Sequence, residues 1–185
     1  EDVQEDLVKM NEMQENKTAG FQMNKRFRRP DGTYVWVSMT IAPILVEGKN
    51  PQHICMIEDI TEKKEKEQRI EYLSYHDTMT GAYNRAFFEE AVARYDKEEY
   101  FPLTIMTGDV NGLKLINDTL GHAEGDRVLI EMTKLIHKCI RKTDILARVG
   151  GDEFSILMPH TGRDDAQNIL NCIYDSCKNY RIRKG

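Results

Sequence analysis

The residues best suited to chemistry form one short run of glycines and acids, Gly150-Gly151-Asp152-Glu153. Glycines permit a tight turn and close approach of a ligand to the main chain, and the two acids then project toward one point. Another acid, Asp109, ends an apolar segment that reads as a strand. If that strand adjoins the turn, three carboxylates converge at a strand edge, which suits one or two hard divalent cations, Mg²⁺ first. A plain surface hairpin is the alternative.

A second polar cluster is the stretch 117–126, NDTLGHAEGD. We expect a loop there. Such a loop suits recognition of a purine edge, because an Asn amide can both donate and accept hydrogen bonds while an Asp carboxylate accepts from an amino group and a ring N–H together. The alternative is a structural role, because Asn117 or Asp118 can cap a helical turn and Gly121 can end one. The nearby stretch 111–114, NGLK, offers backbone N–H groups and an ammonium to phosphates.

Both clusters lie in a mixed α/β region that follows a charged segment, 61–76. The region reads helix, strand, helix, strand, strand, helix, with the Gly-Gly turn between its last two strands. The charged segment contains neither Gly nor Pro and carries only a thin apolar stripe. It predicts a linker helix that pairs with a copy of itself or packs on a neighbour, with a solvated spacer as the alternative.

Residues 1–60, before the linker, predict an antiparallel meander. Strand-like alternation over 25–60 is interrupted by the turn Pro30-Asp31-Gly32 and by turn residues at 47–51. The first dozen residues predict a helix. Three strands make an incomplete sheet, so we expect this unit to lack its beginning.

Composition and charge exclude several classes of protein. The 185 residues include 26 Lys and Arg against 31 Asp and Glu, and a net charge of −5 offers no general basic field for DNA. No stretch reaches the roughly 18 consecutive apolar residues of a membrane-spanning helix, and no leader opens the chain. We therefore expect no membrane contact and a cytoplasmic protein, or one on the cytoplasmic face of a membrane if a preceding segment carries an anchor.

The cysteines are predicted to be reduced core or surface thiols. Cys55, Cys139, Cys172 and Cys177 form no CxxC pair, which also argues against a zinc site.

The segment RVGGDEF at 148–154 resembles the signature of the GGDEF family of diguanylate cyclases. Other family motifs occur in the expected order, HDTMTGAYNR at 76–85, DVNGLKLINDTLGHAEGD at 109–126 and RKTD at 141–144. Several motifs in register make the resemblance specific. It implies an α/β (α+β) fold with a palm-like domain of β-α-β-β-α-β core over 77–185, which condenses two GTP into cyclic di-GMP and releases two pyrophosphates.

The resemblance also assigns roles to residues. Asp109, Asp152 and Glu153 resemble the catalytic acids, and together with the Val110 carbonyl they resemble the metal ligands, which implies Mg²⁺ or alternatively Mn²⁺. The matching substrate-binding positions are Asn117 and Asp126 for guanine, Gly112, Leu113 and Lys114 for the phosphates, and the signature glycines Gly150 and Gly151.

Two further expectations concern regulation and assembly. Arg141 and Asp144 resemble the RxxD site at which cyclic di-GMP binds as feedback inhibitor. Each domain holds one GTP whereas the product joins two, so the reaction requires a two-fold homodimer.

Residues 1–60 resemble the C-terminal part of a PAS sensory domain with its PAC segment. The similarity lies in RFRRPDGTYVWVSMTIAPI and in ICMIEDITEKKEKEQ, whose D-I-T-E junction leads into the linker helix 61–76. It implies an antiparallel partial sheet that controls the cyclase. We interpret Trp36 and Tyr34 as core aromatics, with contacts to a cofactor as the alternative.

The family continues past the last predicted helix with another strand and a basic segment that grips the terminal phosphates. We therefore expect the GGDEF domain to lack its C-terminal part and to bind GTP weakly. Two other functions stay open: a non-catalytic module that binds GTP or cyclic di-GMP, for example ahead of a phosphodiesterase, and a dimerising sensor scaffold. The intact acids at Asp109, Asp152 and Glu153 favour catalysis.

Overall fold

The computed structural model describes residues 2–14, 20–44 and 52–178. The chain divides into two compact units, 1–70 and 71–185. The turn predicted at 47–51 lies outside the described residues. Nowhere in the described part does a helix combine the length and the apolar character that crossing a bilayer requires.

The first unit is a small antiparallel sheet with two helices, of which the second continues into the second unit. Its elements are α1 (Asp2–Gln14), β1 (Phe21–Arg28), β2 (Tyr34–Ile44), β3 (Gln52–Asp59) and most of α2 (Thr61–Tyr75). The sheet order β1-β2-β3 confirms the predicted meander, and α2 confirms the predicted linker helix. Met23, Met39 and Ile41 form its buried cluster. Beside them the buried Lys25 donates to Asp6 at 2.5 Å, which ties α1 to β1.

The second unit contains the predicted α/β region. Its elements after α2 are β4 (Tyr83–Asn84), α3 (Arg85–Tyr95), a 3₁₀ turn (Glu98–Tyr100), β5 (Thr104–Asp109), α4 (Leu113–Leu120), α5 (His122–Cys139), β6 (Ile145–Arg148), β7 (Glu153–Met158) and α6 (Arg163–Lys178). The sheet order is β4-β6-β7-β5, with β4 parallel to β6 and the other pairs antiparallel. The run from β5 to α6 confirms the first five elements of the predicted β-α-β-β-α-β core, except that two helices, α4 and α5, follow β5 where one was expected. A closing strand would follow α6, outside the described residues.

Helices cover both faces of this sheet because side chains alternate along its strands. One face, with Leu146 and Ile156, packs against Leu129, Ile136 and Ile169 of α5 and α6. The other face, with Ile145, Ala147 and Leu157, packs against Phe88 and Ala91 of α3. The core therefore holds β5, β6 and β7 in fixed register, and with them the turn between β6 and β7.

The prediction of reduced thiols is wrong for two of the cysteines. Cys139, the last residue of α5, is joined by a disulfide to Cys172 in α6, 33 positions further on. The two cysteines meet because α5 and α6 pack against each other, and the local sequence contains no pattern that predicts this contact. Cys55 and Cys177 are free, as predicted.

Candidate active site

The ends of β5 and β7 bring two of the predicted acids together. The antiparallel register pairs Asp109 with Glu153, and directly opposed residues of such a pair project from the same face of a sheet. Beside that pair, the Val110 N–H donates to the Asp152 carbonyl at 3.0 Å. The prediction that the strand adjoins the Gly-Gly turn is confirmed.

The acids share this strand end without forming one cage. Among the described residues, no three His, Cys, Asp or Glu side chains are placed to hold a metal ion jointly. The donor set of Asp109, Asp152, Glu153 and the Val110 carbonyl nevertheless consists of the oxygen atoms that Mg²⁺ prefers.

The two signature glycines have different surroundings. A Cβ on Gly150 would lie 2.5 Å from Oε2 of Glu153, so this glycine makes room for the glutamate side chain. A Cβ on Gly151 would meet nothing within 4 Å, which leaves the main chain open to a ligand.

Arg148 holds the signature turn, a role that sequence reasoning did not assign. Its Nε and Nη2 donate to the Gly151 carbonyl at 3.1 and 2.6 Å. Its Nη1 lies 3.2 Å from both carboxylate oxygens of Asp77. The Arg148 side chain is only 12% exposed, so water screens these contacts weakly. The only sequence signal for this role was the place of both residues in family-like motifs.

Asp77 is itself fixed by a turn in the HDTMTGAYNR motif. The Thr80 N–H and hydroxyl donate to its Oδ1 at 2.9 and 2.6 Å. Burial alone would raise the pKa of Asp77, but the hydrogen bonds from Thr80 and the charge of Arg148 outweigh it and hold the pKa below its ordinary value of 3.8. Asp77 therefore stays ionised and available to Arg148 at neutral pH.

A cavity of about 520 Å³ lies beside the signature turn, against α4 and α5. Lys114, Asn117 and Asp126 line it together with Gly151 and Asp152. The structure thus places the candidate base-reading residues and a candidate phosphate-binding lysine around one space, next to a signature acid.

The expected loop at 117–126 is wrong. Asn117 lies in α4 and Asp126 in α5, and the two helices meet at Gly121, whose φ of 88° suits glycine. The Gly121 N–H donates to the Asn117 carbonyl at 3.0 Å and ends α4, as the structural alternative held. The apolar residues of both helices, Ile116 among them, pack on the core and override the loop-like composition.

A second cavity, of about 480 Å³, lies against β5, α5 and α6. Asp109 and Val110 line it, but most of its wall is apolar, for example Ile136 and Phe154. Asp109 and Val110 thus line a different cavity from Asp152, and the hydrogen bond from Val110 to Asp152 links the two. Glu153 and Gly150 line neither of these cavities. Gly112 lies at neither wall and caps the start of α4 with a φ of 79°.

The candidate product site places its two residues differently from what we expected. Asp144 is buried, and its Oδ2 accepts from the Arg141 N–H at 2.7 Å, closing the turn between α5 and β6. Its other oxygen is buried too and has no partner among the described residues. Arg141 stays exposed, with Nη2 3.9 Å from Asp165. Of the two, Arg141 is the residue free to meet a ligand.

Several curated proteins similar to this chain are named diguanylate cyclases or probable diguanylate cyclases. DgcM of Escherichia coli strain K12, a diguanylate cyclase, is 33% identical over 147 residues, which cover 77% of this chain and 35% of DgcM. DgcE of the same strain, a probable diguanylate cyclase, is 31% identical over 158 residues, 83% of this chain and 14% of DgcE. The chain thus spans about a third or less of the length of these relatives.

Solved structures of similar fold come from the same family. The diguanylate cyclase SiaD of Pseudomonas aeruginosa, crystallised with its activator SiaC, superposes with a TM-score of 0.59 at 30% identity, covering 67% of this chain and 49% of SiaD. The GGDEF domain of TpbB from the same species gives a TM-score of 0.53 at 40% identity, covering 56% of this chain and 63% of that structure. Residues 74–184 match the family described as "Diguanylate cyclase, GGDEF domain", and the chain belongs to that family.

Proposed function

We propose that this chain is a diguanylate cyclase, which condenses two GTP molecules into cyclic di-GMP and releases two pyrophosphates. The observation that supports it most is the cavity in which Asn117 and Asp126 face the same space as Lys114 and the signature acid Asp152. A carboxylate accepts from the N1–H and 2-amino group of guanine, and an amide can pair with the second N–H of that amino group and the adjacent ring nitrogen N3. Adenine offers no N–H at N1 and would leave the carboxylate unpaired.

The reaction needs a nucleophile, a neutralised phosphate and a leaving group in line. The 3′-hydroxyl of one GTP attacks the α-phosphorus of the other, an O3′–P bond forms, and the bond to the β-phosphate oxygen breaks to release pyrophosphate. Glu153, exposed at the start of β7, accepts the hydroxyl proton, and Lys114 offsets phosphate charge. The sequence repeats with the roles of the two nucleotides exchanged.

Asp109, Asp152 and Glu153 would hold Mg²⁺ or Mn²⁺ with the Val110 carbonyl. Their oxygen donors and the register that pairs Asp109 with Glu153 fit such an ion. When bound, a divalent cation neutralises the phosphate oxygens around the reacting phosphorus.

The product contains two GMP units, so the proposal includes a two-fold homodimer with one GTP in each domain. Arg141, the exposed member of the candidate product site, would bind cyclic di-GMP and lower turnover. Residues 1–60, whose antiparallel sheet agrees with the PAS-like motifs, would act as a sensor through α2.

The decisive experiment is incubation of the purified chain with GTP and MgCl₂, followed by chromatography and mass analysis of the nucleotides. We expect cyclic di-GMP and pyrophosphate from GTP and no cyclic dinucleotide from ATP. Glu153→Gln should abolish the product while GTP still binds. Tight GTP binding without any product would favour the non-catalytic regulatory module, and equal turnover of ATP would contradict the guanine site.

A further inference from the structure

Gly125 occupies a position where a glycine needs an explanation. It is buried within the first turns of α5, and alanine is the better helix former there. Its φ is not positive, so the backbone does not demand glycine either. The reason must lie in what surrounds the residue.

The neighbour of Gly125 is the amide of Asn117. A Cβ built on Gly125 would lie 1.9 Å from Oδ1 of Asn117, 2.9 Å from Cγ and 3.4 Å from Nδ2. Contacts of real Cβ atoms essentially never fall below 3.0 Å, so any side chain at position 125 would displace the whole amide.

The stability of the free protein does not explain where that amide lies. Oδ1 of Asn117 is buried and accepts no hydrogen bond within the part of the chain that the structure describes. A buried acceptor without a donor destabilises a fold. A ligand that uses the amide would explain why it is kept in this place.

We infer that Gly125 is a positioning residue for base recognition: its missing side chain is the space in which Asn117 lies, so that α4 and α5 present Asn117 and Asp126 to one guanine. The inference rests on the proposed use of GTP. Asp126 follows Gly125 directly, and Asn117 and Asp126 line the same cavity. Gly125 touches no substrate in this scheme and acts through the amide.

A double-mutant cycle tests this dependence by calorimetry of the chain with GTP. Gly125→Ala should weaken GTP binding at least about 10-fold, the scale of one lost hydrogen bond to the base. Asn117→Ala should lose a similar factor, and the double variant should bind no more weakly than Asn117→Ala alone. Losses that multiply, or a Gly125→Ala chain with unchanged affinity, would overturn the inference.

The selectivity between bases distinguishes a loss of guanine recognition from a general distortion of the cavity. Inosine triphosphate keeps the ring N–H of GTP but lacks its 2-amino group, so the unsubstituted chain should prefer GTP and Gly125→Ala should narrow the ratio of the two affinities. Gly162→Ala is the matched control, since its Cβ would meet nothing closer than 3.9 Å, and it should keep both affinities. If Gly125→Ala binds both nucleotides weakly but keeps the same ratio of affinities for GTP and inosine triphosphate, the substitution only distorts the cavity. That outcome would contradict the proposal.

Thermal melting shows whether the variants fold. Once Asn117 is replaced by alanine, Gly125→Ala should raise the melting temperature, because the helix gains a better former and nothing is displaced. A lower melting temperature in that background would mean that Gly125 serves the packing of α5 and would overturn the inference.

The two proposals can fail separately. A chain that binds GTP but forms no cyclic dinucleotide contradicts the cyclase function alone, and the affinity cycle still decides the role of Gly125. A chain that binds neither GTP nor inosine triphosphate, or prefers ATP, overturns both.

Discussion

At the scale of single residues, Arg148 holds the signature turn through one guanidinium that joins the Gly151 carbonyl to the Asp77 carboxylate. A planar fork of donors can hold two acceptors in fixed directions, which the point charge of a lysine cannot. The candidate catalytic acids next to the turn therefore depend on the position of Arg148. The partner charge on Asp77 makes this arrangement sensitive to acid.

We predict that Asp77→Asn makes the free energy of unfolding less dependent on pH in the acid range. The folded-state pKa of Asp77 lies below the ordinary value of 3.8, so its ionised form stabilises the fold at higher pH, and that contribution is lost as pH falls through the folded pKa. Asparagine keeps an acceptor for Thr80 but has no charge. Urea unfolding should show a difference of about 1 to 2 kcal/mol between the two proteins from pH 7 to 5, shrinking below about pH 4. A difference of constant size down to pH 3 would contradict this assignment.

At the scale of elements, the disulfide between Cys139 and Cys172 fastens α5 to α6, the helices that cover one face of the sheet. Closing a loop of 33 residues removes conformational freedom from the unfolded chain. In the chain-entropy account this stabilises a fold by roughly 3 to 4 kcal/mol.

We therefore predict that Cys172→Ser, or reduction of the unsubstituted chain, lowers the free energy of unfolding of the second unit by several kcal/mol, on the order that chain entropy gives. Cys55→Ser is the control, because Cys55 is an exposed free thiol of the first unit. Chemical unfolding with and without dithiothreitol makes the comparison. If reduction leaves the transition unmoved, the disulfide does not hold these helices.

Elements with a local pattern are the ones the sequence predicts. The linker helix was predicted over 61–76 and runs Thr61–Tyr75, because strong helix formers continue without Gly or Pro. β2 follows from its β-branched and aromatic run. By contrast β4 is only two residues long and forms by pairing with β6, a distant partner that no local pattern reveals.

The same limit applies to the site. Asp109 and Glu153 flank turn-like glycines, so their meeting at one strand end was predictable. Two other contacts depend on tertiary packing: Arg148 with Asp77, and Asn117 with Gly125. The amino-acid composition does not predict either contact. The polar residues at 117–126 likewise favour a loop when only the sequence is considered. They are helical because apolar residues of α4 and α5 pack against the rest of the fold.

At the scale of the whole molecule, α2 carries apolar side chains that the described chain leaves uncovered. Ile70 is 67% exposed and Leu73 41%, three positions apart on one helical face. No residue of α2 in the described part is buried. In the homodimer that the proposed reaction requires, the α2 helix of the second chain could cover these side chains.

We predict that turnover per chain rises with protein concentration and that Ile70→Lys shifts this rise to higher concentration. A charge at that position would oppose pairing of α2, and none of the residues that line the candidate nucleotide cavity belongs to α2. Lys63→Ala, on the same helix, is the control and should leave the curve in place. Sedimentation and activity measured over the same concentrations decide it, and a rate per chain independent of concentration in the unsubstituted protein would contradict pairing.

The contact between Arg148 and Asp77 also bears on the order of folding, since it joins residues 71 positions apart. Contacts of such long sequence separation form slowly, because the intervening chain must first be confined. The pairing of β4 with β6 spans a similar distance. During synthesis we therefore expect the opening segment of the domain to dock only after β6 and β7 have emerged, so that the signature turn gains its anchor late in folding.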